Sequence, residues 1–576
     1  MKGFSKVICF INKTKFYFFY WLEKLLIRFS RYLLILLKSS INRSQFECNI
    51  LTSYDFRKPI KVLFLVNVTN KNSLYIYNTV ESLIRQTDEN WKALLVFSDP
   101  IIYKNLKELA QPNKIFLECT SNKKIKDLLD YVYSNYVYSD YVCCLESGDK
   151  IEEKLVEILQ RVDADIIYFD QIVFSRVLGY KLLLKPQWSP ELWLSVDILR
   201  GAVYKSNLFM GDNKDLLNEY AQALFHANKI LHIPIALLYS KKFPWEDELL
   251  IEEHKKRVED YLLLRGKTSC PKIKQRPNGS SFLQFIGDQN MISIIIPNRD
   301  HPKEIMRCVN SIFENSPNQK FEIIIVDDES NNSEVINFYN TLYSKHNNFD
   351  LLRGSRPFNF SRACNQGAAK ATGDFLLFLN NDTEVIDPNW LTNLAGVLQI
   401  PGVGVVGPKL FYPDGSVQHA GIVIGLEGHA SHVFMGVKSD IYTPYGYVDW
   451  MRNVSAVTGA CMMVRRDVFE QVGGFDESLT LAFGDVDLCL RIIDAGYRIV
   501  YTPDVKLIHY EGRSRGKYIP KQDLLAKKDY FREKIKQGDP YYNPNLSRAW
   551  RIPTLRQKWE MDPVERYDKL IEFKTR

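Results

Sequence analysis

The stretch FLLFLNNDTEV, residues 375–385, places five apolar residues directly before Asn380, Asn381 and Asp382. A continuous apolar run is expected for a strand that is buried on both faces of a sheet. Amide and carboxylate oxygens are the ligands that hard divalent cations prefer. The pattern therefore indicates a rigid strand that delivers a small group of oxygen ligands to one edge of a sheet.

Two earlier strands end in polar residues in the same way. MISIIIPNRD (291–300) contains a continuous apolar run, and FEIIIVDDES (321–330) ends in two carboxylates. Between them, apolar residues recur at helical spacing after Pro302. This strand–helix–strand order predicts an α/β fold with a mostly parallel sheet, whose ligands lie at the carboxyl ends of its strands.

A weaker copy of this layout precedes it. Its apolar strands are IKVLFLVNVTN (60–70), WKALLVFSDP (91–100) and YVCCLESGDKI (141–151), and Asp149 follows the first strand at nearly the distance that Asp382 follows residues 291–300. We interpret this as an internal duplication of a domain of roughly 200 residues. Coincidental spacing of buried strands is the alternative.

These patterns divide the chain into five predicted parts. The first is a basic amphipathic segment, 1–45, and the last is a helical or extended tail, 516–576. The two α/β domains are predicted at 58–245 and 289–515. Residues 246–288 are charged at first and then rich in Pro, Gly and Ser, which is typical of a helix followed by a linker.

The positive charge is concentrated at the start of the chain. Residues 1–43 contain nine Lys and Arg against Glu23 alone, while the whole chain has a net charge of +7. The nearly neutral remainder argues against a nucleic-acid-binding protein. Residues 15–38 could span a bilayer by length, but three central basic residues would cost roughly 8 to 10 kcal/mol. An in-plane anchor on anionic lipid fits better, and a helix packed on the protein's own body is the alternative.

Ten cysteines are scattered without a CxxC pair, so neither a zinc site nor a disulfide framework is indicated. This pattern is typical of a protein in the reducing cytosol.

Six motifs occur in order in the second copy: IIIPNRD, IIIVDDES, FNFSRACNQGAAKATGDFLLFLNNDTEV, TGACMMVRRDVFEQVGGFDES, FGDVDLCLRI and VKLIHYEG. Together they resemble inverting glycosyltransferases of family 2, which have the GT-A fold. The first copy is similar to the partner domain of tandem members through KPQWSPELWLS (185–195), and DPYYNPNLS (539–547) resembles the family's tail. The resemblance implies two tandem GT-A domains, Rossmann-like with a mostly parallel sheet, after an N-terminal amphipathic helix.

The resemblance also implies a metal-dependent reaction. A sugar would move from a nucleotide-diphosphate donor to a hydroxyl of a glycan or lipid-linked glycan, with Mn or Mg neutralising the departing diphosphate. NND resembles the family's DxD motif, with Asn380 in place of the first Asp, so Asp382 would bind the metal. His509 would be the last metal ligand, or alternatively a core histidine.

The general base implied by the resemblance is Asp485. One carboxylate within hydrogen-bond reach of the acceptor hydroxyl can accept its proton. Capping of a helix N-terminus is the alternative role for Asp485. Asp487 would share its face if the segment is extended, and we assign it with the acceptor and phosphate loop.

The donor nucleotide is expected to contact residues from several motifs, with Asp328 the best candidate for the nucleobase. The alternative for the Asp-Asp pair is an ordinary turn. The predicted donor-binding residues are Pro297, Asn298, Asp327, Asp328, Asn365, Gly367, Asn380 and Asn381.

Close backbone approach to the donor phosphate or the acceptor is expected at Gly459 and Ala460, because glycine has no side chain to block it. Trp450 is a candidate surface for an acceptor sugar ring, and a core tryptophan is the alternative.

The first copy is predicted to fold without transferring sugar. Asp149 is present, but the sequence places Ser240 where a histidine would stand and Asn218-Glu219 in the region of the base. This copy would hold the acceptor glycan, brace the second domain, or both. A bifunctional enzyme is the alternative.

Two other classes of protein are alternatives. Nucleotidyltransferases generally carry a glycine-rich loop after the first strand, which IIIPNRDHP lacks, and a non-catalytic glycan-binding protein is the second rival. The family resemblance implies assembly of a surface polysaccharide, such as O-antigen or capsule, on a lipid carrier. The protein would be cytoplasmic and peripherally associated, through residues 1–45, with the inner face of the cytoplasmic membrane.

Overall fold

The computed structural model describes residues 59–120, 124–135, 138–175, 179–210, 217–266, 271–285, 290–317, 319–510 and 519–575. The predicted N-terminal helix of residues 1–45 lies outside these ranges. Within them, every helix is too short or too polar to cross a membrane.

The first unit is built around a nine-stranded sheet. Its strands are β1 (Val62–Val68), β2 (Trp91–Phe97), β3 (Ile115–Cys119), β4 (Tyr141–Glu146), β5 (Lys150–Ile151), β6 (Ile166–Ser175), β7 (Gly179–Leu183), β8 (Val203–Lys205) and β9 (Ile230–Ser240). Its helices are α1 (Ile76–Ile84), α2 (Pro100–Asn105), α3 (Ile125–Asn135), α4 (Leu155–Leu159), α5 (Pro190–Ser195) and α6 (Glu219–His226).

A helix and a hairpin connect the two units. They are α7 (Glu248–Leu264) and the antiparallel pair β10 (Lys272–Gln275) and β11 (Ser281–Gln284). The hairpin was not predicted, because its strands are only four residues long and flank a Pro-Asn-Gly sequence that is typical of a linker as well as of a turn.

The second unit is built around a ten-stranded sheet. Its strands, with two short hairpins, are β12 (Ile292–Asn298), β13 (Phe321–Asp327), β14 (Phe349–Arg353), β15 (Phe375–Leu379), β16 (Thr383–Val385), β17 (Val403–Phe411), β18 (Val417–His419), β19 (Ile422–Ile424), β20 (Ala430–His432), β21 (Tyr442–Thr443), β22 (Gly446–Tyr447), β23 (Arg452–Asn453), β24 (Cys461–Arg465) and β25 (Arg498–His509). Its helices are α8 (Pro302–Glu314), α9 (Ser333–Lys345), α10 (Phe360–Lys370), α11 (Trp390–Leu398), α12 (Arg466–Gln471) and α13 (Gly484–Asp494), and the tail adds α14 (Lys521–Ala526), α15 (Lys528–Gln537) and α16 (Pro563–Thr575).

The two sheets share one strand order. The first runs β3-β2-β1-β4-β8-β6-β9-β5 and the second β14-β13-β12-β15-β24-β17-β25-β16. The directions also agree, because β4–β8 and β15–β24 are antiparallel whereas β1–β4 and β12–β15 are parallel. The predicted class of two tandem α/β units of GT-A type is confirmed. Each sheet is mixed, because β8 and β24 run antiparallel to their neighbours β4 and β15.

Burial explains the continuous apolar strands. All seven residues of β12 are buried, and α10 packs closely against them. A Cβ atom on Gly367 of α10 would lie 2.4 Å from Cγ2 of Ile295, so this helix can approach β12 because it presents a glycine.

Buried polar contacts join the two units. Glu191 on α5 is fully buried, and its carboxylate accepts hydrogen bonds from Arg498 on β25 at 2.7 to 3.2 Å. Asn543 of the tail donates to both carboxylate oxygens of Asp170 on β6 at 3.0 Å. The segments 185–195 and 539–547 therefore tie the first sheet to the second.

Candidate active site

The strand pairing β16–β25 places Asp382 beside His509. Thr383 pairs with His509 in an antiparallel register, and the Tyr510 amide donates to the Asp382 carbonyl at 2.9 Å. Oδ1 of Asp382 lies 3.2 Å from Nε2 of His509, and both side chains are largely buried. Two residues that are 127 positions apart in the chain thus present a carboxylate and an imidazole to one point.

This pair fits two ligands of one divalent cation. Oδ1 of Asp382 is buried without a hydrogen bond of normal geometry, and two ligands bound at about 2.1 Å and at right angles would be about 3 Å apart. Burial alone would raise the pKa of Asp382, but contact with His509 and the charge of Arg307 hold that pKa below its ordinary value. The described residues contain no group of three or more His, Cys, Asp or Glu side chains that could hold a metal.

Asp485 lies in the first turn of α13, one residue after its start. Its Oδ2 accepts a hydrogen bond from the Gly459 amide at 2.8 Å, and its Oδ1 accepts from its own helix at Val486 N, 2.9 Å away. The residue at the helix N-cap is Phe483, which has the left-handed φ of 64°. The carboxylate is partly exposed, so it is fixed by Gly459 and still accessible.

The segments carrying Asp382 and Asp485 meet at one edge of the sheet. Leu379, the last residue of β15, pairs with Cys461, the first of β24, and the Asn380 amide donates to the Ala460 carbonyl at 3.0 Å. Gly459, one residue earlier, bonds to Asp485. The segment after β15, which leads to Asp382, and the start of α13, which carries Asp485, therefore hydrogen-bond to two adjacent residues, Ala460 and Gly459.

Asp523 on α14 orders the loop before α13. Its two carboxylate oxygens accept hydrogen bonds from the amides of residues 480–482 at 2.7 to 3.0 Å. The tail therefore positions the helix that carries Asp485. Sequence reasoning missed this role, because Asp523 lies in an otherwise unremarkable charged helix.

Asp487 does not face an acceptor. It is completely buried, accepts from Arg491 Nε at 2.8 Å and lies 3.0 Å from the Lys527 ammonium. The segment is helical, so Asp487 points away from the face of Asp485 and anchors α13 to the tail. The alternative that Asp485 stands at a helix start is the correct one for the secondary structure.

Trp450 is not a surface for a sugar ring, which corrects the sequence-based expectation. Its side chain is fully buried, and its ring meets Trp245 edge-to-face at 4.6 Å between centroids. Gly446 packs so closely that an added Cβ would lie 2.0 Å from the Trp450 ring. Trp245 lies between β9 and α7, far from Trp450 in the chain, so local sequence could not reveal this contact.

Asn298, Asn381 and Asp327 form a network with Tyr339. Asn381 donates to Asn298 Oδ1 at 2.6 Å, Asn298 donates to the Tyr339 hydroxyl at 2.6 Å, and that hydroxyl donates to Asp327 at 2.8 Å. Asp327 also accepts two hydrogen bonds from Ser330. These side chains hold the ends of β12, β13 and β15 together, so Asp327 is engaged internally.

Asp328 is the carboxylate best placed for a donor contact. It is 2% exposed, and neither of its oxygens has a hydrogen-bond partner among the described residues. Arg299 and Arg356 lie 3.5 and 3.4 Å from it. A buried carboxylate that is flanked by cations but not hydrogen-bonded can accept from an N–H or hydroxyl of a ligand.

The other predicted donor residues have mainly structural contacts. The side-chain amide of Asn365 donates to the Phe475 carbonyl and accepts from the Phe475 amide, at 2.9 Å each. Gly367 permits the close packing of α10, and Pro297 is buried opposite Val326. Asn380 contributes its backbone to the strand pairing.

Arg307 was missed by the sequence analysis. Its guanidinium carbon lies 3.4 Å from the centroid of the Tyr510 ring, and its Nε and Nη2 atoms are buried without a hydrogen bond. The residue is one turn inside α8, which starts after β12, so only the tertiary structure brings it near Asp382.

Left-handed backbone at residues other than glycine clusters around this edge. Asp300 and His301 follow β12, Glu329 follows β13 and Phe483 precedes α13, with φ between 52° and 64°. Such conformations cost free energy and concentrate at functional sites.

The matching edge of the first sheet is built differently. Lys150 of β5 pairs with Tyr239 of β9 as Thr383 pairs with His509. Tyr239, not Ser240, therefore occupies the position of His509, because the pairing of β9 with β5 sets this position one residue earlier than the sequence predicted. Arg200 donates to both oxygens of Asp149 at 3.1 and 3.2 Å.

The strand order and the arrangement at its edge define a tandem α/β protein of GT-A type. The model of the family "Glycosyl transferase family 2" matches residues 293–473.

Relatives extend the similarity over most of the chain. The O-antigen biosynthesis protein RfbC of Myxococcus xanthus is 40% identical over 85% of this chain and 40% of its own length. The uncharacterized protein y4gI of Sinorhizobium fredii is 29% identical over 84% of this chain and 57% of its own. The chain thus spans about half the length of these relatives. The crystal structure of GalNAc-T7 with UDP, GalNAc and Mn2+ is similar over 46% of this chain and 54% of its own, with 19% identity and a TM-score of 0.35.

Proposed function

We propose that the second unit is a metal-dependent inverting glycosyltransferase. It would move a sugar from a nucleotide-diphosphate donor to a hydroxyl of a glycan or lipid-linked glycan. The observation that carries this proposal is the meeting of the Asp382–His509 pair and Asp485 at one sheet edge. The match of residues 293–473 to the model of glycosyl transferase family 2 supports the same reaction class.

Each part of the site has a chemical task under this proposal. Asp382 and His509 would hold a divalent cation, which would supply positive charge to neutralise the departing diphosphate. Asp328 accepts a hydrogen bond from the nucleoside, and the guanidinium of Arg307, whose Nε lies 3.8 Å from the Glu384 carboxylate, adds positive charge near Asp382. Asp485 takes the proton of the acceptor hydroxyl as that oxygen attacks the anomeric carbon from the face opposite the diphosphate.

Surface polysaccharide synthesis is the proposed process. The name of the RfbC relative, an O-antigen biosynthesis protein, supports it. We place the protein at the inner face of the cytoplasmic membrane, with residues 1–45 on the lipid surface. Deleting residues 1–45 should release the protein from the membrane pellet, and retention there would contradict this placement.

A screen of nucleotide-sugars for metal-dependent turnover by the full chain tests the activity. Wild type should release nucleoside diphosphate with MnCl2 and stop with EDTA. Asp382→Ala and His509→Ala should each raise the MnCl2 concentration needed for half-maximal turnover by at least about tenfold, because each removes one of two protein ligands.

Asp414→Asn is the matched control, since Asp414 is exposed in a turn of the same unit and bonds to Ser416. It should leave the metal requirement unchanged. Turnover that survives EDTA and both substitutions would refute the metal site.

A further inference from the structure

The carboxyl edge of the first sheet opens into a cleft of about 440 Å³. Sites for small molecules typically have volumes of about 300 to 1,000 Å³. The cleft is bordered by residues at the ends of β1, β2 and β4, among them Asn67, Ser98 and Glu146. It occupies the position that the candidate active site has in the second sheet.

This cleft lacks the metal-binding pair of the second unit. Both oxygens of Asp149 are engaged by Arg200, and the Glu146 amide also donates to Asp149 at 3.0 Å. Tyr239, in the position of His509, donates its hydroxyl to Glu152 at 2.9 Å. A guanidinium therefore supplies the positive charge that a cation would supply beside Asp382.

The charge of the cleft disfavours a nucleotide diphosphate. The two arginines that line it are paired, Arg200 with Asp149 and Arg257 with Asp197 at 3.0 Å. Five carboxylates line the same cleft: Glu146, Asp149, Asp197, Glu219 and Glu253. A diphosphate would add negative charge without meeting an unpaired cation among the described lining residues.

The first unit also lacks a carboxylate in the position of Asp328, the residue proposed to contact the nucleobase. The Ser98 amide bonds to the Val68 carbonyl as the Asp328 amide bonds to the Asn298 carbonyl. Ser98 thus holds the backbone position of Asp328 but offers a hydroxyl. One polar contact proposed for the nucleoside in the second unit has no equivalent carboxylate here.

The lining suits an uncharged ligand that is rich in hydroxyl groups. Asn67, Ser98 and Thr120 provide neutral donors and acceptors beside apolar side chains such as Leu65 and Val96. Burial raises the pKa of Glu146 to about 7, so near neutral pH its carboxyl group can donate a hydrogen bond as well as accept one.

We propose that the first unit binds a neutral saccharide in this cleft and does not bind a nucleotide-sugar there. Saccharide binding in this cleft does not depend on the transfer reaction, whereas the exclusion of a nucleotide-sugar rests in part on the donor contacts proposed for the second unit. The cleft would retain a glycan while the second unit acts.

An array of immobilised neutral oligosaccharides, probed with the full chain, tests saccharide binding. Wild type should be retained, and Ser98→Trp, which fills the cleft, should bind at least tenfold more weakly. Glu146→Leu, which removes hydrogen-bonding groups with little change in volume, should show the same loss. Ser134→Trp and Glu89→Leu, at exposed positions outside the cleft lining, are the matched controls and should bind as wild type.

Calorimetry with UDP or GDP and MnCl2 tests the exclusion of nucleotide. We expect at most one nucleotide per chain, weakened by Asp382→Ala and unaffected by Ser98→Trp. Two nucleotides per chain, nucleotide binding lost in Ser98→Trp, no retention on the array, or retention unchanged in both cleft variants would overturn the inference. A chain inactivated by Asp485→Asn should still be retained, which separates this inference from the proposed transfer.

Discussion

At the residue scale, the site depends on two carboxylates with different surroundings. Asp382 is buried against His509, whereas Asp485 is partly exposed and is fixed by one backbone amide. The first arrangement suits a metal ligand, and the second suits a group that must reach a substrate hydroxyl. The same residue type thus has two proposed tasks because burial and partners differ.

Asp485→Asn should lower kcat by about 10² to 10⁴-fold, because the amide cannot accept the proton of the acceptor hydroxyl. Donor affinity should change little, since Asp382, His509 and Asp328 remain. Steady-state transfer and calorimetric nucleotide binding measure the two effects. Asp494→Asn, at an exposed position of the same helix, should keep wild-type turnover, and near-normal kcat in Asp485→Asn would exclude the base assignment.

The stability of the protein should depend on pH through Glu146. Burial raises its folded-state pKa from about 4.5 to about 7, so the folded state binds more protons than the unfolded state between these values. Stability from this group is therefore lost as the pH rises from about 4.5 to 7. The free energy of unfolding of Glu146→Gln, relative to that of wild type, should therefore rise by up to about 3 kcal/mol over this pH range. Urea unfolding at several pH values measures the difference, and a gain that does not grow with pH would contradict the assignment.

At the element scale, two glycines predicted near the donor have separate functions. Gly367 lets α10 approach β12, while Gly459 lies beside Asp485, where an added Cβ would make an ordinary contact at 3.5 Å. The hydrogen bond from Gly459 fixes the candidate base at the start of α13. Substitution of Gly367 should therefore affect the packing of α10 on β12, whereas substitution of Gly459 should affect access to Asp485.

Gly367→Ala should destabilise the fold by about 1 to 3 kcal/mol, because its Cβ would overlap Ile295. The free energy of unfolding of Gly459→Ala should lie within about 0.5 kcal/mol of the wild-type value. Its turnover should be lower, because the added methyl group would restrict access of the acceptor to Asp485. Urea unfolding and steady-state transfer measure the pair. Equal stability of the two variants would contradict the packing role of Gly367.

At the scale of the whole molecule, the two sheets are joined by buried charge. Glu191 has no exposed surface, and Arg498 contacts it from β25 with two nitrogens. Arg498 also donates to the Pro401 carbonyl at 2.7 Å. Motion of the first unit against the second would break these contacts.

Glu191→Gln should lower the free energy of unfolding by about 3 kcal/mol, because it leaves the Arg498 charge without its partner. Glu470→Gln, at a 64% exposed side chain that pairs with Arg466, should cost less than about 1 kcal/mol. Chemical unfolding followed by tryptophan fluorescence compares them. If the two variants were equally stable, the Glu191–Arg498 pair would not brace the units.

The sequence by itself determined the two α/β units, the order of their buried strands and the edge at which ligands should lie. These follow from local patterns, since a buried strand needs continuous apolar residues and its polar end marks the edge of the sheet. It also indicated Asp382, His509 and Asp485 as candidate site residues, because short motifs carry those positions.

Only the tertiary structure decided which polar residues are already engaged. Asp327 and Asp487 are paired internally, Trp450 is buried against Trp245, and Arg307 approaches Asp382 from another element. These outcomes depend on contacts between residues far apart in the chain. Local sequence specifies the strand and helix that carry a side chain, whereas the packing of those elements decides what that side chain meets.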